Sequence, residues 1–210
     1  APLGKNVANI DPDIVSQGNL GHVHPDANHF ITIANGEYLF KNNGYVQRQT
    51  RFHNTLLIDG KGQWGEIRTY FSPFPLDPKR NPTINKVSST ADVDYIEGDA
   101  SHAYMDESGL KKFVRKFYFF KKMDVIIIFD DIELDAPHKL TLHFFPENSM
   151  TQLSPTVITS QSKKNALRVE NLTQSSAMTL AEMDINARHS RQSPTTPLIK
   201  MEAETAALKQ

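Results

Sequence analysis

Two histidines and a carboxylate near the start of the sequence are spaced so that they could act together. They are His22, His24 and Asp26, within the stretch Gly21–Phe30. Alternate residues of an extended chain project to the same side, so the two imidazoles could meet one metal ion or one anionic substrate. A metal-bound histidine usually donates its second N–H to a carboxylate, which Asp26 could accept. The alternative is a solvated loop with a chance pair, because the chain has 8 histidines.

A second group of polar residues follows about twenty positions later. Gly44, in the run Asn42–Tyr45, can supply a tight turn. Arg48 and Arg51 carry planar guanidinium groups that suit a carboxylate or a sulfate. An exposed basic edge strand is the alternative interpretation. His53 opens an apolar run, where an inward-facing histidine is often only a hydrogen-bonded core residue.

The composition excludes several classes of protein. Lys and Arg number 23 and Asp and Glu 24 among 210 residues, so the formal net charge is −1. Such a chain lacks the overall positive field that non-specific nucleic-acid binding needs. It has no cysteine, and no apolar run approaches the ~18 residues of a membrane span. The G-x-S-x-G elbow, the P-loop and the H-E-x-x-H helix are also absent from the sequence. We therefore expect neither nucleic acid nor a membrane as a partner.

Short runs of β-branched and aromatic residues, separated by polar turns, predict strands along most of the chain. Asn35-Gly36 is a strong hairpin signal between two such runs, because both residues tolerate a positive φ. Asp59-Gly60 is expected to stop a strand that begins at His53. Strands are expected over 29–34, 37–40, 53–58, 87–96, 156–159, 166–170 and 177–181, with either a terminal strand or a frayed helix over 200–209.

The clearest block of strands runs from Lys111 to Phe145. It predicts a three-stranded antiparallel meander that turns at residues 121–124 and again at Ala136-Pro137. Val125–Phe129 is apolar on both faces, as a central strand would be. Helix signals are nearly absent. The pattern predicts an all-β fold, a two-layer antiparallel β-sandwich with few or no helices, in a single domain over residues 1–210.

Taken in order, these segments resemble the C-terminal β-sandwich domain of heparinase II/III-like polysaccharide lyases, within the alginate and heparinoid lyase superfamily. The resemblance is carried by Gly21–Phe30, Asn43–Tyr45 and Thr50–Gln63. The ordered set is much more specific than any one of its parts. The strands between Phe113 and Phe145 resemble the same domain in pattern, so the likeness covers most of the chain.

The resemblance implies a catalytic role for His22, the first histidine of the pair. In metal-binding members the second histidine, here His24, joins an Asp from a following turn and the His of an H-N-T strand, here His53. Asn42 stands where the Asp would be, and its amide oxygen brings no charge. A zinc or other divalent ion would then have a structural role, with Asp26 supporting a ligand histidine. The residues expected to hold substrate are Tyr45, Arg48 and Arg51.

The resemblance also implies a reaction and a partner domain. Members pair an upstream α/α-toroid with the sandwich, and they cleave an acidic polysaccharide by β-elimination at a uronic acid. We therefore expect a part of a longer enzyme, inactive as a lyase by itself and secreted or periplasmic in a bacterium. Alginate, heparan-type glycosaminoglycans and other uronates stay open as substrates. Two alternatives are a non-catalytic carbohydrate-binding or structural sandwich module, and a metal-dependent enzyme complete in one sandwich.

Overall fold

The computed structural model describes residues 24–44, 48–66, 77–173, 176–185 and 195–204. Within these ranges the chain forms thirteen β-strands, and every strand pairing is antiparallel. The strands are β1 (Thr32–Ala34), β2 (Glu37–Phe40), β3 (Leu56–Ile58), β4 (Thr83–Ser89), β5 (Val93–Asp99), β6 (Leu110–Phe120), β7 (Val125–Leu134), β8 (Lys139–Phe144), β9 (Thr151–Ser154), β10 (Val157–Gln161), β11 (Ala166–Glu170), β12 (Ala177–Asp184) and β13 (Thr195–Glu204).

The helical content of the described residues is limited to three single 3-10 turns. These span Thr50–Phe52, Pro78–Arg80 and Asp106–Ser108. The prediction of an all-β antiparallel sandwich with few or no helices is therefore confirmed. No helix among the described residues is both long and apolar enough to cross a membrane.

The chain divides into two compact units, of which the first comprises Ala1–Val23 and Gln63–Asp135. The described strands of this unit form one sheet in the order β4-β5-β6-β7. The prediction of one strand over 87–96 is wrong, because a turn separates β4 from β5. Thr90 Oγ1 accepts hydrogen bonds from the N–H groups of Asp92 and Val93, at 3.3 and 3.0 Å, and so closes this turn. The single-domain organisation stays a prediction.

Strand β7 lies at the edge of that sheet, so the prediction of a central strand for Val125–Phe129 is wrong. Phe129 is 53% exposed and Ile127 39% exposed. The inner strands are β5 and β6, and Phe113 of β6 is fully buried. An apolar run indicates a preference for strand and burial, whereas the position of that strand depends on pairings that the run does not specify.

A buried ion pair joins β6 to β7. Arg115 donates from Nε and Nη2 to the two carboxylate oxygens of Asp130, at 2.6 and 2.7 Å. Arg115 is fully buried, and its guanidinium carbon lies 5.4 Å from the centre of the Phe113 ring. The two residues are opposite one another in the β6–β7 register, so the pair helps to fix that register.

The second unit comprises His24–Gly62 and Ala136–Gln210. Its described strands form a sheet of order β12-β13-β8-β3, a sheet of order β11-β10-β9 and the β1-β2 hairpin. Strand β8 thus pairs with β3 and β13, which makes the third strand of the predicted meander wrong. The turn at Ala136-Pro137 ends β7 as expected, but a turn does not determine which strand the next one joins.

The three sheets of the second unit share one core. Its buried members are Phe40 of β2, Ile158 of β10, Met178 of β12 and Ile199 of β13. Phe30 and Phe144 pack against this cluster. Because the cluster draws residues from all three sheets, these sheets pack against one another within the unit.

Two predicted turns of the second unit have the expected backbone. Asn35 and Gly36, between β1 and β2, have φ values of 51° and 76°. Asp59 and Gly60, which end β3, have φ values of 50° and 73°. The strand before Asp59 is shorter than predicted, however, because only Leu56–Ile58 is paired. The residues ahead of it use their side chains to hold another part of the chain.

Candidate functional site

The segment from His24 to Phe30 contains no strand, and side chains from residues 50–55 hold it in place. Thr50 Oγ1 donates to the carbonyl oxygen of Pro25 at 2.8 Å. Thr55 Oγ1 donates to that of Ala27, also at 2.8 Å. Both threonines are fully buried, so these hydrogen bonds are shielded from water. The bonds set the two segments side by side.

Asn54 connects the same segments through its amide. Its Nδ2 donates to the carbonyl oxygens of Phe30 at 2.7 Å and Lys41 at 3.1 Å. Its Oδ1 accepts from the N–H of Phe145 at 2.7 Å, and its own N–H donates to Nδ1 of His29 at 2.8 Å. In the H-N-T sequence, the Asn and the Thr therefore serve as connectors for the segment that begins at His24.

His24, Asp26 and His53 form a compact group of potential metal ligands. Nδ1 of His24 lies 3.3 Å from Nε2 of His53. One ligand atom from each of the three residues lies within 4.8 Å of the others. His53 is fully buried, and the other two are half-buried. Two nitrogens that bind a tetrahedral zinc ion at about 2.0–2.1 Å are roughly 3.3–3.4 Å apart, so this donor pair fits a shared ion.

The carboxyl group of Asp26 is in an unusual environment. Burial raises its pKa to about 6, while the hydrogen bond to its own backbone N–H acts in the opposite direction. Within the described part of the chain, no lysine or arginine contributes to this pKa. At neutral pH the site therefore holds a partly desolvated negative charge next to two imidazoles. This combination of groups can bind a cation.

His29 is a member of the site to which the sequence pattern assigns no role. Its ring centre lies 5.3 Å from that of His53, in a T-shaped arrangement. Because Nδ1 accepts from Asn54, the proton of neutral His29 is assigned to Nε2. The alternation of His22 and His24 excludes His29, and only the pairing of two segments 25 residues apart brings it here.

The turn after β2 places two asparagines differently. Asn42 is exposed, and its Oδ1 accepts from the N–H of Gly44 at 3.1 Å. Gly44 has a φ of 92°, as the predicted tight turn requires. Asn43 is buried and donates from Nδ2 to the carbonyl oxygen of Phe52 at 2.9 Å. Its Oδ1 is buried without a hydrogen-bond partner in the described part of the chain.

The four remaining predicted site residues are the two arginines, His22 and Tyr45. Arg48 is 6% exposed, whereas Arg51 is exposed and its guanidinium carbon lies 4.8 Å from the centre of the Phe52 ring. His22 and Tyr45 lie outside the described residues. The roles of all four stay predictions.

Two other histidines of the second unit have local partners. Nδ1 of His138 is 2.7 Å from Oδ2 of Asp59, and this hydrogen bond lowers the pKa of the Asp59 carboxyl. His143 donates from Nδ1 to the carbonyl oxygen of Arg51 at 2.8 Å, and burial lowers the pKa of its imidazole. These hydrogen bonds account for both histidines as structural residues.

A family model described as heparinase II/III-like, C-terminal, matches residues 13–199. The chain belongs to this heparinase II/III-like family. The resemblance inferred from the ordered motifs is thereby confirmed. The match spans the His24–His53 site, strands β1 to β12 and the first half of β13.

Solved structures show the same fold in a larger enzyme. The chain is similar to the crystal structure of the heparan sulfate lyase HepC from Pedobacter heparinus, with a TM-score of 0.67 and 16% sequence identity. A mutant of that lyase gives a TM-score of 0.66 at 16% identity. Each comparison covers 87% of this chain but only 28% of the lyase chain. A comparison with curated proteins returned no match.

Proposed function

We propose that this heparinase II/III-like chain is the β-sandwich part of a polysaccharide lyase that cleaves a uronic-acid-containing polysaccharide by β-elimination. The observation that carries the proposal is the family match over residues 13–199. The fold shared with a heparan sulfate lyase supports it, and so does the grouping of His24 with His53.

His22 is the proposed catalytic residue. β-Elimination removes the proton next to the uronate carboxyl group, and negative charge then develops on that group. A hydrogen-bond donor or cation at the carboxylate stabilises this charge. An imidazole titrates near neutral pH, so His22 can donate a hydrogen bond there or move the proton. The family resemblance supports this assignment, because it implies the catalytic role for the first histidine of the pair, which is His22.

The proposed substrate contacts are Tyr45, Arg48 and Arg51. Arg51 is the better supported of the arginines, because its side chain is exposed whereas that of Arg48 is buried. A guanidinium group can bind a uronate or a sulfate in a bidentate manner. The proposal includes an upstream α/α-toroid that supplies the other catalytic groups, and a secreted or periplasmic location in a bacterium. The isolated chain is accordingly expected to be inactive as a lyase.

A divalent cation, zinc in the first instance, is proposed at His24 and His53. The family resemblance alone implies Asn42 as a third group. The 3.3 Å separation of the two ring nitrogens supports this binding. When bound, the ion would cross-link two chain segments.

The test is the lyase activity of the longer enzyme that contains this chain, followed by the ultraviolet absorbance of unsaturated uronate products. His22→Ala should lower turnover at least about 100-fold, as expected for loss of a proton-transfer group. His102→Ala is the matched control, because His102 lies exposed in a turn and should leave turnover unchanged. Unchanged turnover with weaker substrate binding in His22→Ala would favour the non-catalytic carbohydrate-binding module instead.

A further inference from the structure

We infer that Asp26, rather than Asn42, is the third protein ligand of the metal site, which would then consist of two histidines and one carboxylate. The inference deepens the proposed function and rests on the proposed cation at His24 and His53. It concerns metal binding alone, so it can be tested without any lyase assay.

The first argument is the position of the Asp26 carboxylate. One of its oxygens lies within 4.8 Å of a ligand nitrogen of each histidine. That limit exceeds the tetrahedral separation of roughly 3.4 Å by about 1.4 Å. Asp26 is only half-buried, and rotation of its side chain can close such a gap.

The second argument is charge. A half-buried carboxylate without a lysine or arginine partner carries a desolvation cost. In the described part of the chain Asp26 forms no ion pair, and the histidines are the potential ligands around it. A divalent cation would offset this cost. The cation would also gain a negatively charged ligand from Asp26, whereas the set of two imidazoles and the Asn42 amide is uncharged.

The third argument is that the amide oxygen of Asn42 already has a local function. It accepts the N–H of Gly44 within its own turn, and the side chain is exposed. The turn can therefore form without a metal. The oxygen of Asn42 is thus satisfied at an exposed position, whereas the half-buried carboxylate of Asp26 accepts only a hydrogen bond from its own backbone N–H within the described part of the chain.

The inferred ligand set has a chemical consequence. Two histidines and one aspartate occupy three positions of a tetrahedral ion and leave the fourth for water or for an oxygen of the substrate. Imidazole and carboxylate together suit zinc and also other first-row divalent ions. The test therefore uses zinc for affinity and cobalt(II) for spectroscopy.

The experiment titrates the chelator-treated chain with zinc by calorimetry, and compares it with Asp26→Asn and Asn42→Ala. We expect one zinc per chain, a loss of more than about 100-fold in affinity for Asp26→Asn, and less than about threefold for Asn42→Ala. The visible spectrum of the cobalt-loaded chain should change shape in Asp26→Asn. A carboxylate that merely supports a histidine would lower affinity but leave that spectrum in place.

Three results would overturn the inference. They are a large loss in Asn42→Ala with none in Asp26→Asn, an unchanged cobalt spectrum in Asp26→Asn, and no stoichiometric zinc binding by the unsubstituted chain. Both substitutions are in partly or fully exposed positions, and circular dichroism verifies that each variant is folded. Failure of zinc binding would leave the lyase proposal standing on His22, and unchanged lyase activity in His22→Ala would leave the metal result unaffected.

Discussion

The backbone N–H of Asn54 donates to Nδ1 of His29 at 2.8 Å, and this bond is one of several that tie residues 50–55 to the segment that begins at His24. It fixes the orientation of the His29 ring, which then lies against His53. The position of the candidate metal ligands therefore depends on a set of connectors that are not ligands themselves.

Asn54→Leu should lower the free energy of unfolding by about 3 kcal/mol, because it leaves buried carbonyl and N–H groups of three segments without their partner. Urea denaturation at pH 7 measures this change. Asn85→Leu is the control, since Asn85 is exposed in β4 and should change stability by less than about 0.5 kcal/mol. Equal losses in the two variants would contradict the connector role of Asn54.

Local rules account for the features of the fold that the sequence predicts well. Asn35-Gly36 and Asp59-Gly60 require positive φ values, and the backbone has them. Strand β11 begins and ends where the alternation of residues 166–170 places it. Each of these features is decided by residues that are adjacent in sequence.

The features that could not be predicted depend on distant pairings. The run Val125–Phe129 has the composition of a central strand but lies at an edge of the sheet that the described strands form, and β8 joins β3 and β13 instead of β7. The site follows the same rule. The family resemblance links His24 to His53, whereas the place of His29 beside them depends on the hydrogen bonds of Asn54.

The Arg115–Asp130 pair should be much more sensitive to loss of one partner than to loss of both. Asp130→Ala leaves a fully buried guanidinium without its carboxylate, and we expect a loss of about 3–5 kcal/mol in unfolding free energy. The double variant Arg115→Met with Asp130→Leu should recover most of that loss, because it removes both charges. Urea denaturation of the single and double variants measures the coupling, and additive losses would contradict this account.

Asp26 should make the metal-free chain less stable as the pH rises. Its folded pKa of about 6 is above the ordinary value of 3.8, so the folded state binds more protons than the unfolded state between these values. Stability from this group is therefore full below about pH 4 and is lost as the pH rises to about 6. The loss is at most about 3 kcal/mol.

Asp26→Asn should remove this dependence. Urea denaturation in the presence of a chelator, from pH 4 to pH 8, measures the free energy of unfolding of both proteins. The value for the variant should rise relative to that of the unsubstituted chain as the pH rises to about 6. The difference should be constant at higher pH. A difference that does not change with pH would contradict the raised pKa.

His143 should have the opposite effect on the pH dependence of stability. Burial is the main cause of its lowered pKa, and the neighbouring charges of Lys200 and Arg51 act in the same direction. The hydrogen bond to the Arg51 carbonyl and the charge of Glu202 oppose the shift. The unfolded state therefore takes up a proton near pH 6.5 while the folded state does not, and stability from this group is lost as the pH falls below that value.

His143→Asn is the informative variant, because the asparagine amide can still donate to the carbonyl of Arg51 but does not titrate. We expect the unsubstituted chain to lose stability more steeply than the variant as the pH falls from 7 to 5, measured by urea denaturation. Subtracting one curve of unfolding free energy against pH from the other removes the opposing contribution of Asp26, which both proteins share. His102→Asn, at an exposed position, should follow the unsubstituted chain throughout. Parallel curves for His143→Asn and the unsubstituted chain would show that the His143 imidazole is protonated equally in the folded and unfolded states.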